Sequence, residues 1–169
     1  SCRNEWSGLS ALAKSHLFFQ KLALANNNLI FSGWQQAIQT DGVELGKNII
    51  PVTQAGHVWV WNPSADGVKQ AVTLANNNYP TVLAYADKAY FDLAYTPSMY
   101  EPGFTWAAPN LDTYSALSMA QLAGKTQALS KQPQNILGIE GTLWSENLPS
   151  FDHLMYSALP KMPGLAEAA

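Results

Sequence analysis

Along this chain the apolar positions switch between a helical period and short unbroken runs, and the switches mark out its elements. From Ser7 to Leu24 apolar residues recur at helical spacing among good helix formers, which predicts an amphipathic helix ended by Asn26, Asn27 and Asn28. Leu29 to Trp34 is a short apolar run that reads as a strand, and the connection through Gly42 and Gly46 is loop-like. His57 to Asn62 is a second strand, stopped by Pro63. Asp66 then opens a helix through Lys69, Ala71, Val72 and Leu74, closed by a second triple asparagine at Asn76 to Asn78. Thr81 to Ala86 is a third strand. From Asp87 to Asn110 the pattern is irregular, broken by Pro97, Pro102 and Pro109 with Gly103 between them, and long irregular segments in compact domains tend to be functional. Ser115 to Leu129 is helical. Ile136, Leu137, Ile139 and Leu143 suit a buried strand, with Gly138 and Gly141 leaving room for a close approach to the backbone. A last helix from Phe151 to Ala169 is interrupted near Pro160 and Pro163. Strands alternating with helices predict an α/β fold with a parallel sheet, either an open sheet or half of a (β/α)₈ barrel, and in both cases ligands bind at the carboxyl ends of the strands.

The residues just past each strand are therefore the informative ones. Trp34 ends the first, Trp61 comes after the second, Tyr90 and Asp92 shortly after the third, and Trp144 with Glu146 after the fourth. One such aromatic is ordinarily a core or rim residue, but core packing does not oblige four of them to sit at the exits. An aromatic box with two carboxylates and a phenol fits a carbohydrate, because sugar rings offer apolar C–H faces to aromatics and hydroxyls to Asp and Glu. Trp106, in the irregular segment, either extends this platform to a second sugar or anchors its loop. Trp59 alternates with Trp61 and so faces the other side of its strand, where a structural role is expected. Trp6, ahead of the first helix, is assigned to packing.

Composition narrows the partners. The chain has 169 residues, 47% of them hydrophobic, enough for one domain with a core. A net charge of −3 with only 12% charged residues supplies no basic stripe for nucleic acid. Cys2 is the only cysteine, so no disulfide forms within the chain, and a thiol near a terminus is expected to be inert. No run approaches the ~18 apolar residues of a membrane helix, and the first residues show no signal-peptide pattern. A start at Ser1-Cys2-Arg3-Asn4-Glu5 without Met is expected of a processed chain or a part of something longer. No asparagine forms a glycosylation acceptor, since Asn62-Pro63-Ser64 carries the excluded proline, which favours a bacterial source. His16, His57 and His153 are scattered without metal-ligand spacing, and no phosphate or dinucleotide motif appears, so neither metal nor cofactor is expected.

Gly33-Trp34-Gln35, Val60-Trp61-Asn62, Tyr90-Phe91-Asp92 and Gly138-Ile139-Glu140-Gly141-Thr142-Leu143-Trp144-Ser145-Glu146 resemble, in order and spacing, the second half of the catalytic barrel of family-20 glycoside hydrolases, the β-N-acetylhexosaminidases and chitobiases. Tyr100 to Trp106 and Leu159-Pro160-Lys161 through Glu167 also look like that family, so the likeness runs from about Trp6 to Ala169. It implies that residues 1–169 are the C-terminal half of a TIM barrel, approximately strands 5 to 8 with their helices. It further implies hydrolysis of terminal non-reducing N-acetylhexosamine, in chitobiose or chitin oligomers, by substrate-assisted retaining catalysis in which the 2-acetamido oxygen is the nucleophile. The position matching Tyr90 donates its hydroxyl to that oxygen. Trp34, Trp61 and Trp144 match the walls of the acetamido pocket, Asp92 and Glu146 match acceptors of the distal sugar hydroxyls, and Trp106 matches an aromatic that stacks on the next sugar. A periplasmic or secreted location, bacterial rather than lysosomal, is expected.

The chain departs from the pattern in one place that matters. The family's general acid is the Glu of a His-x-Gly-Gly/Ala-Asp-Glu motif, and no such motif is present; Asn4-Glu5 is similar to the pair only superficially, with Cys2-Arg3 in place of the small residues. The catalytic pair is therefore expected on the N-terminal half of the same enzyme, carried by another chain or segment. Glu140 stands where Gln is usual and Lys161 where Arg is common, at positions that do not touch sugar in the family. Two rival readings stand beside this one: a non-catalytic carbohydrate-binding paralogue that keeps the aromatic box, and an unrelated open α/β domain with structural tryptophans.

Overall fold

The computed structural model describes Phe18, Leu22, Ala25, residues 29–38 and residues 50–169. Trp6, Cys2, Glu5, His16 and the Gly42 to Gly46 connection lie outside the described residues, as does most of the first predicted helix, of which Phe18, Leu22 and Ala25 are helical. The chain divides into two compact units, Ser1–Val58 and Trp59–Ala169.

In the first unit β1 (Phe31–Trp34) runs straight into a single helical turn, α1 (Gln35–Ile38). Its hydrogen-bonded neighbour is β2 (Ala55–Val60), whose His57 N–H donates to Ser32 Oγ at 3.0 Å. Gly56 permits this closeness, since a Cβ there would stand 2.9 Å from the Ile30 side chain. Ile38, Ile50 and Val58 are fully buried and Trp34 is half-buried.

In the second unit the end of β2, then β3 (Thr81–Leu83), then β4 (Ile136–Ile139) follow one another in the sheet. The β3–β4 pair is parallel, as the alternation of elements predicts, with Thr81 opposite Ile136 and Leu83 opposite Ile139 and an irregularity after Thr81. Helix α2 (Ser64–Asn76) turns Val68, Ala71, Leu74 and Ala75 inward at helical spacing. It starts two residues before the expected Asp66 because Asp87 caps it from a distance, accepting from Ser64 N–H and Oγ–H at 2.7 Å each. The triple asparagine ends it for three separate reasons. Asn78 takes the left-handed conformation at φ 66°, Tyr79 N–H returns to the Leu74 carbonyl, and Asn76 Oδ1 accepts from Ser130 Oγ–H and Lys131 N–H.

Three expectations change. The third strand stops at Leu83, and the irregular segment begins with a one-turn helix, α3 (Ala86–Ala89). The helix expected over Ser115 to Leu129 is two, α4 (Thr113–Leu117), capped by Asp112, and α5 (Met119–Leu129), with Ser118 between them. Leu137 is 50% exposed rather than buried, because alternation in β4 sends it to the face opposite Ile136. The final helix does break where proline predicts, into α6 (Phe151–Ala158) and α7 (Met162–Ala168), with Pro160 in the gap and Pro163 in the first turn of α7. Among the described residues no helix is long and apolar enough to cross a membrane.

The core is rich in phenols, and this has a measurable consequence. Burial pushes Tyr79 and Tyr85 up to about 12, and raises Tyr90 and Tyr95 further. The unfolded chain releases these protons near pH 10 while the folded chain keeps them, so the stability they represent is complete below pH 10 and is lost as pH rises through the folded values. Absorbance at 295 nm should show these four tyrosines ionising only as the far-UV signal collapses; ionisation of all seven at pH 10 with the fold intact contradicts it.

Candidate functional site

The site is organised around a short segment that resumes the sheet beyond the ends of β3 and β4. After α3, Tyr90 forms a parallel bridge with Thr142; Thr142 N–H donates to the Ala89 carbonyl at 2.9 Å and Phe91 N–H to the Thr142 carbonyl at 2.8 Å. Extended backbone alternates its side chains, so Tyr90 and Asp92 leave on one side and Phe91 on the other. Phe91 is 4% exposed and packs in the core, where Gly141 makes room: a Cβ there would sit 2.7 Å from the Phe91 ring. This is the physical content of the Tyr-x-Asp spacing.

Asp92 is 3% exposed. Its Oδ1 accepts the Trp144 N–H at 3.4 Å, and its carbonyl accepts Asn147 Nδ2–H at 3.1 Å and Phe104 N–H at 3.3 Å. Gly103, at φ 121°, lets the loop come this near, for a Cβ would lie 2.8 Å from the Asp92 carbonyl oxygen. Burial raises the Asp92 carboxyl above the usual range and Glu146 adds to this, while hydrogen bonds from the backbone and the Lys161 charge oppose it. Glu146 itself is exposed, on the 3₁₀ turn Ser145–Asn147 that comes after Trp144.

Around Tyr90 the aromatics close in. Trp106 meets it edge-to-face at 5.8 Å between centroids and meets Trp61 at 5.9 Å, while Trp144 leans on the other side of Tyr90 at 6.0 Å. Trp106 is 55% exposed and Trp144 38%, so both keep ring surface open for stacking, whereas Trp61 is half-buried against the core. Trp106 is thus a member of the box as well as a loop residue. The Tyr90 phenol is pushed up, by burial first and by Asp92 second, with a hydrogen bond from the Trp144 side chain opposing. It remains a protonated donor across the ordinary pH range.

Of the residues singled out from sequence, Trp61, Tyr90, Asp92, Trp106, Trp144 and Glu146 all fall in the second unit, and Tyr90 meets two of them, Trp106 and Trp144, by ring contact. Trp34 belongs to the first unit, as the last residue of β1. Trp59 has a partner of its own, its indole N–H donating to Glu140 Oε2 at 2.8 Å. Sequence reasoning missed Asn147 and the burial of Lys161, and it named Gly103 only as part of an irregular segment. Lys161 left a signal as a lone cation between Leu159-Pro160 and Met162-Pro163.

An aromatic box with two acidic side chains thus lies past the carboxyl ends of the parallel β3–β4 pair, in a protein of the α/β class. The model of the glycosyl hydrolase family 20 catalytic domain matches residues 4–169, and the chain belongs to that family. A beta-hexosaminidase of Vibrio vulnificus is 30% identical over 124 residues, 64% of this chain and 15% of the relative. Among solved structures, the GH20 beta-N-acetylhexosaminidase of Streptomyces coelicolor is 27% identical with a TM-score of 0.59, over 81% of this chain and 25% of that one. A mutant Streptomyces plicatus beta-hexosaminidase in complex with product (GlcNAc) shares the fold at a TM-score of 0.70 and 24% identity, over 96% of this chain and 30% of that one. The chain therefore spans less than a third of the length of each of these three proteins.

Proposed function

We propose that this chain supplies the sugar-holding part of a β-N-acetylhexosaminidase acting on terminal non-reducing N-acetylhexosamine, in chitobiose, chitin oligomers or glycoconjugates. The observation that carries the proposal is the side-by-side exit of Tyr90 and Asp92 between the open faces of Trp106 and Trp144. The chain is read as half of a (β/α)₈ barrel, approximately strands 5 to 8. The parallel β3–β4 pair, the shared fold and the exposed Leu137 face support that reading.

In the proposed reaction the 2-acetamido oxygen attacks the anomeric carbon as the leaving oxygen takes a proton from a general acid; water then opens the intermediate with retention. Tyr90 donates to the acetamido oxygen and orients it, a task that requires the phenol to stay protonated. Asp92 and Glu146 accept hydrogen bonds from hydroxyls of the terminal ring, Trp144 and Trp61 wall it, and Trp106 stacks on the following sugar. The acid is assigned to a segment or partner chain bearing the Asp-Glu pair, because the sequence contains no such motif.

Titration of the chain with N-acetylglucosamine, monitored by tryptophan fluorescence, should give a saturable change. Asp92→Ala should weaken it about 10- to 100-fold, the worth of a charged hydrogen bond. No saturable change at any concentration sinks the reading and favours structural tryptophans.

A further inference from the structure

Lys161 takes no part in this chemistry, yet it is 0% exposed. An ammonium is costly to bury, and among the described residues no carboxylate lies in ion-pair contact with it. Its Nζ instead donates to the Phe91 carbonyl at 2.7 Å and the Leu93 carbonyl at 2.5 Å, and stands 3.9 Å from the centroid of the Tyr95 ring. Those two carbonyls flank Asp92, whose own carbonyl is held by Asn147 and Phe104. On the other edge Phe91 N–H is tied to Thr142. Rotating the Phe91–Asp92 peptide would break a bond to Lys161, rotating the Asp92–Leu93 peptide would break those to Asn147 and Phe104, and rotating the Leu93–Ala94 peptide would break the second bond to Lys161.

We propose that Lys161 is a positioning residue for sugar binding: its buried ammonium clamps the Phe91 and Leu93 carbonyls and so fixes the Tyr90–Asp92 segment in the orientation that receives the ring. The proposal rests on the sugar-binding reading above. Lys161 precedes α7, and Thr113 at the start of α4 fastens the neighbouring Pro160 by an Oγ–H bond to its carbonyl, so the clamp is anchored to the helices rather than to the loop.

The charge of the clamp makes it separable from a packing role. Burial pulls the Lys161 ammonium down to about 8, against the opposing pull of Asp92, Glu101 and Asp112. The other groups facing it are Tyr95, whose ring it touches, and Tyr156, which donates to Glu101; both phenols are pushed up, out of this window. As pH rises through about 8 the ammonium becomes an amine, and its bonds fall to roughly half their strength. Global stability moves the other way. Between about 8 and the ordinary 10.5 the unfolded chain holds this proton and the folded chain does not, so the Lys161 contribution to stability rises with pH. A loss of affinity in that window is therefore loosening of the clamp and not unfolding.

The experiment is the N-acetylglucosamine titration of the full chain from pH 6.5 to 9.5, for the native protein, Lys161→Arg and Lys161→Met, with far-UV circular dichroism alongside. Native affinity should fall several-fold through pH 8, Lys161→Arg should be flat over the range, and Lys161→Met should be about tenfold weaker at every pH with the fold retained. A pH-independent native affinity, or a folded Lys161→Met that binds as the native chain does, overturns the proposal; if Lys161→Met does not fold, the other two profiles decide. Should no form bind sugar, the functional reading fails by itself, and the clamp is judged on ligand-free chain by amide hydrogen exchange at pH 7. Faster exchange at Phe91 and Ala94 in Lys161→Met, with Glu140 unchanged, supports it, and equal exchange at all three refutes it.

Discussion

The chain alone, even where it binds N-acetylglucosamine as proposed, should release no aryl group from an aryl N-acetylglucosaminide above background. The acidic side chains near the site are already engaged. Asp92 is buried and bound to the Trp144 amide, Glu140 accepts the Trp59 indole, and Glu101 accepts the Tyr156 hydroxyl at 2.9 Å. Glu146 is exposed and read as an acceptor for sugar hydroxyls, so none of these stands ready to protonate a leaving oxygen. General acid catalysis contributes on the order of 10²–10⁴-fold, which binding residues do not replace. Supplying a segment that carries the Asp-Glu pair should restore turnover by about that factor. Glu5→Gln should leave the background unchanged. Robust turnover by the chain alone, abolished in Glu5→Gln, would overturn both the assignment of the acid and the division of labour it implies.

That expectation came from a missing motif, and it shows which features a sequence displays directly. Trp61, Tyr90, Asp92 and Trp144 were visible because strand exits are set by local pattern, and a parallel sheet sends every exit to one rim. The β3–β4 pairing was legible for the same reason. The extent of β3 was not, because Ala84, Tyr85 and Ala86 are as apolar as a strand and are fully buried, yet Ala86 opens a helical turn. Local hydrophobicity reports burial and not which way the chain bends. The exposure of Leu137 was hidden for a related reason: β4 reads as apolar on both faces, while Ile136 is buried and Leu137 is not. Lys161 was least legible of all. Its partners are carbonyls 68 and 70 residues away, and a carbonyl has no signature in sequence.

Gly164→Ala should be the most destabilising single-methyl change in the second unit, against the expectation from helix propensity. Gly164 lies inside α7, where alanine ordinarily gains about 1 kcal/mol over glycine. Here α7 crosses α4 so closely that a Cβ on Gly164 would overlap the Thr113 carbonyl oxygen. Backbone cannot rotate away as a flexible side chain can, so the helices must part. Overpacking costs typically 1–3 kcal/mol, and a clash with backbone belongs at the upper end, where it outweighs the propensity gain by about 2 kcal/mol and lowers the melting temperature by roughly 4–8 °C. Parting the helices also pulls on the Thr113 to Pro160 hydrogen bond, next to Lys161, so sugar affinity should fall together with stability. Gly124 is the matched control: it sits inside α5 with nothing within 4 Å of its Cβ position, and Gly124→Ala should raise the melting temperature by a few degrees. If both substitutions stabilise alike, the close crossing of α4 and α7 is wrong, and with it the anchoring proposed for Lys161.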